Sequence, residues 1–73
     1  MTTRTSTAID KSVAKKITEA RNELKLSREK FSELLAISPM QLYKYETSQN
    51  RVSAGMIYTI SMLTGKPIQW FFP

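Results

Sequence analysis

The apolar positions of this chain recur at helical spacing, and no stretch alternates as a strand would. Ile9, Val13, Ile17, Ala20 and Leu24 fall on one face of a helix running from about Ile9 to Lys25, with Lys11, Lys15, Lys16, Glu19 and Glu23 on the other. Phe31, Leu34 and Leu35 predict a short second helix, Arg28 to Leu35. Leu42 and Tyr45 mark the inward side of a third, from Pro39 to Tyr45 or Glu46. Met56, Ile57, Ile60 and Leu63 do the same for a fourth, about Ala54 to Leu63. After Pro67 a last helical turn, Ile68 to Phe72, is almost wholly apolar. The pattern predicts an all-α fold of five short helices. Residues 1–8, rich in Thr and Ser with Arg4 among them, form a flexible arm, and residues 9–73 form one domain.

Polar residues punctuate the pattern. Ser27, Ser38 and Ser53 each stand just before a helix, where a hydroxyl can accept the first free backbone N–H groups. Pro39 takes a first helical position, where a missing N–H costs nothing, and Gln41 completes an S-x-x-Q capping box. Gly65 ends the fourth helix. The run TSQNRV, residues 47–52, is turn material.

The second and third helices are joined by Ala36, Ile37 and Ser38 alone. So short a connection forces a sharp crossing, a helix-turn-helix. Counting Arg28 as the first position, that crossing needs apolar residues at the fourth, eighth, tenth, fifteenth and eighteenth, and Phe31, Leu35, Ile37, Leu42 and Tyr45 occupy them. It needs a small residue at the fifth, and Ser32 is there. The third helix has little apolar surface, so Met40, Gln41, Tyr43 and Lys44 are left facing outward.

Charge and composition narrow the chemistry. The 73 residues carry 11 Lys and Arg against 6 Asp and Glu, a net +5 that favours nucleic acid or an anionic surface as partner. There is no cysteine or histidine, which removes disulfides, thiolate and most zinc sites, and most acid–base or nucleophilic constellations. No Gly-rich loop is present to cradle a phosphate, so no enzyme, metal or cofactor is expected. No apolar run approaches the ~18 residues of a membrane span, and the start, MTTRTSTAID, lacks the apolar segment of a secretory signal. The expected location is a cytoplasm.

The runs VAKKITEARNELKLSREKF, ISPMQLYKYE, NRVSAGMIYTI and GKPIQWFF resemble the five-helix DNA-binding domain of lambda-repressor and Cro-type (XRE-like) regulators over about Val13 to Phe72. The resemblance implies a double-stranded DNA partner at the bacterial nucleoid. It further implies a transcriptional regulator of phage or prophage type, a repressor acting as a dimer on a palindromic operator. By resemblance Arg21 pairs with Glu46, and Ser27, Arg28, Asn50, Arg51 and Ser53 contact phosphates. Met40, Gln41, Tyr43 and Lys44 face base edges, and Ile68, Trp70, Phe71 and Phe72 hold the dimer through the C-terminal helix. Three departures stand out: Ala36 and Ser48 replace glycines of the pattern, and Pro39 takes a recognition position without a hydrogen-bonding side chain.

Each assignment has a plainer counterpart. Lys44 fits guanine O6 or N7, or solvent; Gln41 fits adenine, or the helix cap. Met40 and Tyr43 fit a thymine methyl, with a phosphate also open to Tyr43, or simple exposure; the C-terminal aromatics fit core as well as dimer. An antitoxin-like protein-binding module that keeps the fold stays open beside the regulator. Both a protein this small and one with a following effector domain suit the ending at Pro73.

Overall fold

The computed structural model describes residues 7–73. In order these form helices α1 (Ala8–Glu23), α2 (Arg28–Leu35), α3 (Pro39–Glu46) and α4 (Ala54–Thr64), then a 3₁₀ turn, Ile68–Phe71. No strand occurs among the described residues. The expected Arg4 arm lies outside them.

α1 begins one residue earlier than the apolar pattern implies, because Thr7 and Asp10 form a reciprocal cap. The Thr7 hydroxyl accepts the Asp10 N–H at 3.1 Å, and the Thr7 N–H donates to the Asp10 carboxylate at 3.2 Å. The helix also stops before Lys25. The Leu26 N–H donates to the Arg21 carbonyl at 3.3 Å and the Lys25 N–H to the Asn22 carbonyl at 2.9 Å, closing the helix with Lys25 at φ 58°. α2 closes the same way through Ala36, φ 60°, and α3 through Ser48, φ 63°. Three successive helices therefore end on non-glycine residues in the left-handed region.

The core gathers Val13 and Ile17 of α1, Phe31 and Leu35 of α2, Leu42 of α3, Ile57 and Ile60 of α4, and Phe71. Leu26, Ile37, Val52, Met56 and Trp70 pack around it. α2 packs on α3, while α1 packs against α3, α4 and the 3₁₀ turn. The helix-turn-helix frame is as its spacing requires: Phe31 and Leu42 are fully buried, and Ser32 is buried with its hydroxyl donating to the Glu29 carbonyl at 2.9 Å.

Four residues expected inward are exposed: Ile9, Leu24, Leu34 and Leu63. Ile9 lies a turn beyond the last packed position of α1, and Leu24 is outside the helix as its cap. In α2 the buried stripe is Phe31, Ser32 and Leu35, which rotates Leu34 outward. In α4 the inward line continues from Ile57 and Ile60 to the half-buried Thr64 instead of Leu63.

The expected fifth helix is a 3₁₀ turn of four residues, with Phe72 beyond it. Trp70 N–H donates to the Pro67 carbonyl at 3.0 Å and Phe72 N–H to that of Gln69 at 3.2 Å. These are i to i+3 bonds, the tighter geometry that so short a segment allows. Ser12 of α1 anchors the turn by donating to the Phe71 carbonyl at 3.2 Å. Trp70 lies between two cations, with the Lys16 and Lys66 ammonium groups each 4.6 Å from the ring centroid.

Candidate nucleic-acid interface

α3 starts on Ser38, whose hydroxyl accepts the Gln41 N–H at 3.0 Å. The return bond from the Gln41 side chain to the cap is not made, so the capping box is only half formed and the Gln41 amide stays available. Met40 and Tyr43 are exposed, while Gln41 and Lys44 are half-buried. Pro39 is exposed at the first helical position. α3 thus presents the four expected side chains on its unpacked side. The Lys44 ammonium has no ion-pair partner among the described residues, although Lys44 sits within a turn of Tyr43 and Glu46.

α2 and α4 also start on capping serines. Ser27 accepts the Lys30 N–H at 3.0 Å, and Ser53 accepts the Met56 N–H at 3.1 Å. The remaining N–H groups of these first turns, with the partial positive charge of the helix dipole, suit an anion. Asn50 and Arg51 are exposed in the loop leading to Ser53. Arg51 is held by a surface pair, Nη2 to the Asp10 carboxylate at 3.2 Å. Asp10 in turn is kept below the ordinary carboxyl range, first by the Thr7 backbone N–H and then by Arg51.

Behind α3 the carboxylate of Glu46, only 2 % exposed, receives three donors. Arg21 donates through Nε at 2.7 Å and Nη2 at 3.3 Å, and its Nη1 reaches the Leu26 carbonyl at 2.8 Å. The expected pair is therefore present and ties α1, the connection that follows it and α3 together. The third donor is Arg28, through Nε at 3.0 Å. Its guanidinium also sits over the Tyr43 ring, 5.2 Å from the centroid. Nothing in the sequence pairs Arg28 with Glu46 and Tyr43, or Asp10 with Arg51 across 41 positions, because only the fold brings them together.

The four C-terminal residues expected at a dimer contact separate. Phe71 is fully buried in the core and has no surface to offer, Trp70 is half-buried, and Ile68 and Phe72 are exposed. More apolar surface lies on α4, where Tyr58 and Met62 are 60 % and 66 % exposed, with Leu63 beside them. A sequence signal for this existed: α4, AGMIYTISMLT, carries no charge and is apolar on nearly every side.

A family model described as helix-turn-helix matches residues 17–71, all of α2 to the 3₁₀ turn and the second half of α1. The chain belongs to the lambda-repressor-like helix-turn-helix family. Curated members similar to it include an uncharacterized transcriptional regulator in the ATPase CF(0) region of Rhodospirillum rubrum, 34 % identical over 70 residues. That match covers 96 % of this chain and 65 % of the relative. An uncharacterized HTH-type transcriptional regulator of Sinorhizobium medicae is 39 % identical over 64 residues, 88 % of this chain and 46 % of the relative. One from Rickettsia conorii is 36 % identical over 64 residues, 88 % of this chain and 51 % of the relative. The chain thus spans between about half and two thirds of the length of these helix-turn-helix proteins. No helix among the described residues is long and apolar enough to cross a membrane.

Proposed function

We propose that this chain is the sequence-specific DNA-binding unit of a transcriptional regulator, a repressor of phage or prophage type working in the bacterial cytoplasm. The observation that carries the reading is α3 itself: a helix crossed closely by α2, with Met40, Gln41, Tyr43 and Lys44 turned away from the core. An α-helix fits the major groove, where each base pair shows a distinct pattern. Lys44 donates to guanine O6 or N7, Gln41 pairs with adenine, and Met40 and Tyr43 meet thymine methyl groups. Ser27, Asn50, Arg51 and Ser53 contact phosphates, which fix the register without specifying sequence. With Pro39 unable to hydrogen-bond, DNA shape carries part of the specificity.

The regulator acts as a homodimer on a palindrome. The exposed Tyr58, Met62, Leu63, Ile68 and Phe72, with the edge of Trp70, offer the apolar surface for a second copy. The same surface also suits a second reading, an antitoxin-like module whose main partner is another protein.

Selection of bound duplexes from a random DNA pool, followed by footprinting, tests the proposal. The expected result is a palindrome protected in the major groove, with half-sites about one helical turn apart. Affinity should fall roughly 10³-fold or more between 50 and 200 mM salt if six or more phosphates are contacted. Binding that ignores salt would overturn the DNA-binding reading, and a pull-down that yields a protein and no DNA would count for the second.

A further inference from the structure

Arg28 occupies the first position of α2, where a basic side chain invites assignment as a phosphate anchor. Its contacts argue otherwise. The Nε donates to a carboxylate that is almost completely buried, and the guanidinium carbon lies over the ring of Tyr43. Tyr43 and Glu46 are three residues apart on α3, so one side chain from α2 grips two successive turns of it. The Tyr43 hydroxyl makes no hydrogen bond among the described residues, and Arg28 is the charged group stacked on its ring.

Arg51 provides the contrast. To meet a phosphate, Arg51, 56 % exposed, gives up only a surface pair with Asp10, an interaction of small net value in water. Arg28, 39 % exposed, has its Nε committed to a buried anion and its guanidinium carbon over the Tyr43 ring, so only its Nη groups remain open and their reach is tied to Glu46 and Tyr43.

We propose that Arg28 is a positioning residue for base recognition, which fixes the Tyr43 ring on the reading face of α3 while its Nε stays on Glu46, and that this role rather than a phosphate contact sets its share of binding. The inference rests on the DNA-binding reading. It requires the guanidinium: Nε donates to the carboxylate while the delocalised charge lies over the ring, and an ammonium, a single point charge, cannot hold both places. Arg28 thereby couples sequence preference to the α2–α3 crossing.

The test uses the full chain and the duplex selected by the wild type, with binding measured across a salt series. Arg28→Ala should weaken binding about two- to fivefold, the order of one exposed cation–π contact. It should leave the slope of log affinity against log salt unchanged. It should also flatten discrimination at the base pair facing Tyr43. Tyr43→Ala should do the same, and the double variant should be little worse than either alone. Arg28→Lys, which keeps the charge, should behave as Arg28→Ala. Arg51→Ala serves as the reference, losing close to one unit of salt slope. Because Arg21 still holds Glu46 in the Arg28 variants, the fold is retained, and circular dichroism checks it. The inference is overturned if Arg28→Ala loses about one unit of slope, weakens all sequences alike, and is rescued by lysine. A wild type that selects no duplex overturns this inference together with the DNA-binding reading, whereas anchor-like Arg28 variants overturn this inference alone.

Discussion

Glu46 is the residue on which the geometry of the reading helix depends. Its carboxylate is buried, yet three N–H donors from two arginines satisfy it, and no buried side-chain polar atom among the described residues lacks a partner. Such a cluster adds little net stability, because desolvation offsets the attraction; removing one partner is another matter. Glu46→Ala leaves the mostly buried Arg21 unpaired and should lower the free energy of unfolding by about 3–5 kcal/mol, measured by urea denaturation. Replacing Arg21 and Glu46 together with apolar residues should restore much of that loss. If the single and double changes cost the same, the pair does not act as a unit. Asp10 offers a milder test. Its carboxyl is held below its ordinary value, mainly by the Thr7 N–H. The native state therefore favours the carboxylate, and this contribution is present above the unfolded-state value near 3.8 and is lost as the pH falls through the lower native one. Asp10→Asn should flatten the pH dependence of stability below about pH 4, seen as a smaller fall in the urea midpoint on acidification.

At the scale of elements, the helix ends deserve comparison with the helix bodies. Apolar spacing locates α2, α3 and α4 to within a residue, because an amphipathic stripe must face the core wherever the helix sits. The ends of α1, α2 and α3 rest on Lys25, Ala36 and Ser48 with positive φ, a backbone region that costs a β-carbon-bearing residue energy. Ala36 and Ser48 stand where the helix-turn-helix pattern has glycine, so their strain is foreseeable; Lys25 has no such marker. Ala36→Gly should stabilise the fold by about 0.5–1 kcal/mol, a gain reduced by the greater freedom of glycine in the unfolded chain. For a domain of this size that is a rise in melting temperature of roughly 2–8 °C, which calorimetry resolves. A fall would mean that the Ala36 methyl packs usefully in the turn. Ser27→Ala removes the α2 cap and should cost about 1 kcal/mol by the same measurement.

For the whole molecule, the apolar surface of α4 stands apart from the charge carried by the rest of the chain. Two copies each carrying +5 repel, and α4 brings no charge of its own to a contact. Met62→Glu should therefore reduce self-association in analytical ultracentrifugation while leaving the helical signal intact, since Met62 touches solvent and not the core. Unchanged association would assign the proposed contact to the C-terminal edge at Ile68 and Phe72. The helix bodies, the frame from Phe31 to Tyr45 and the outward set on α3 were all legible in the chain, since each follows from local spacing. Ile9, Leu24, Leu34 and Leu63 differ, because spacing gives a stripe but neither the point where packing stops, which leaves out Ile9 and Leu24, nor the stripe's rotation, which a small inward residue such as Ser32 sets for Leu34.

The class of fold, the Arg21–Glu46 pair through its family pattern, and the choice of side chains that leave α3 were already written in the chain. These depend on period, capping chemistry and steric need at fixed offsets, all of which are local. The tertiary structure alone decided that Arg28 sits on Glu46 and Tyr43, that Asp10 holds Arg51, that Phe71 belongs to the core and that Gln41 is not consumed by its cap. Those are contacts between segments far apart in the chain or choices among rotamers, and they are set by how the packed helices meet, which spacing along one strand of sequence does not encode.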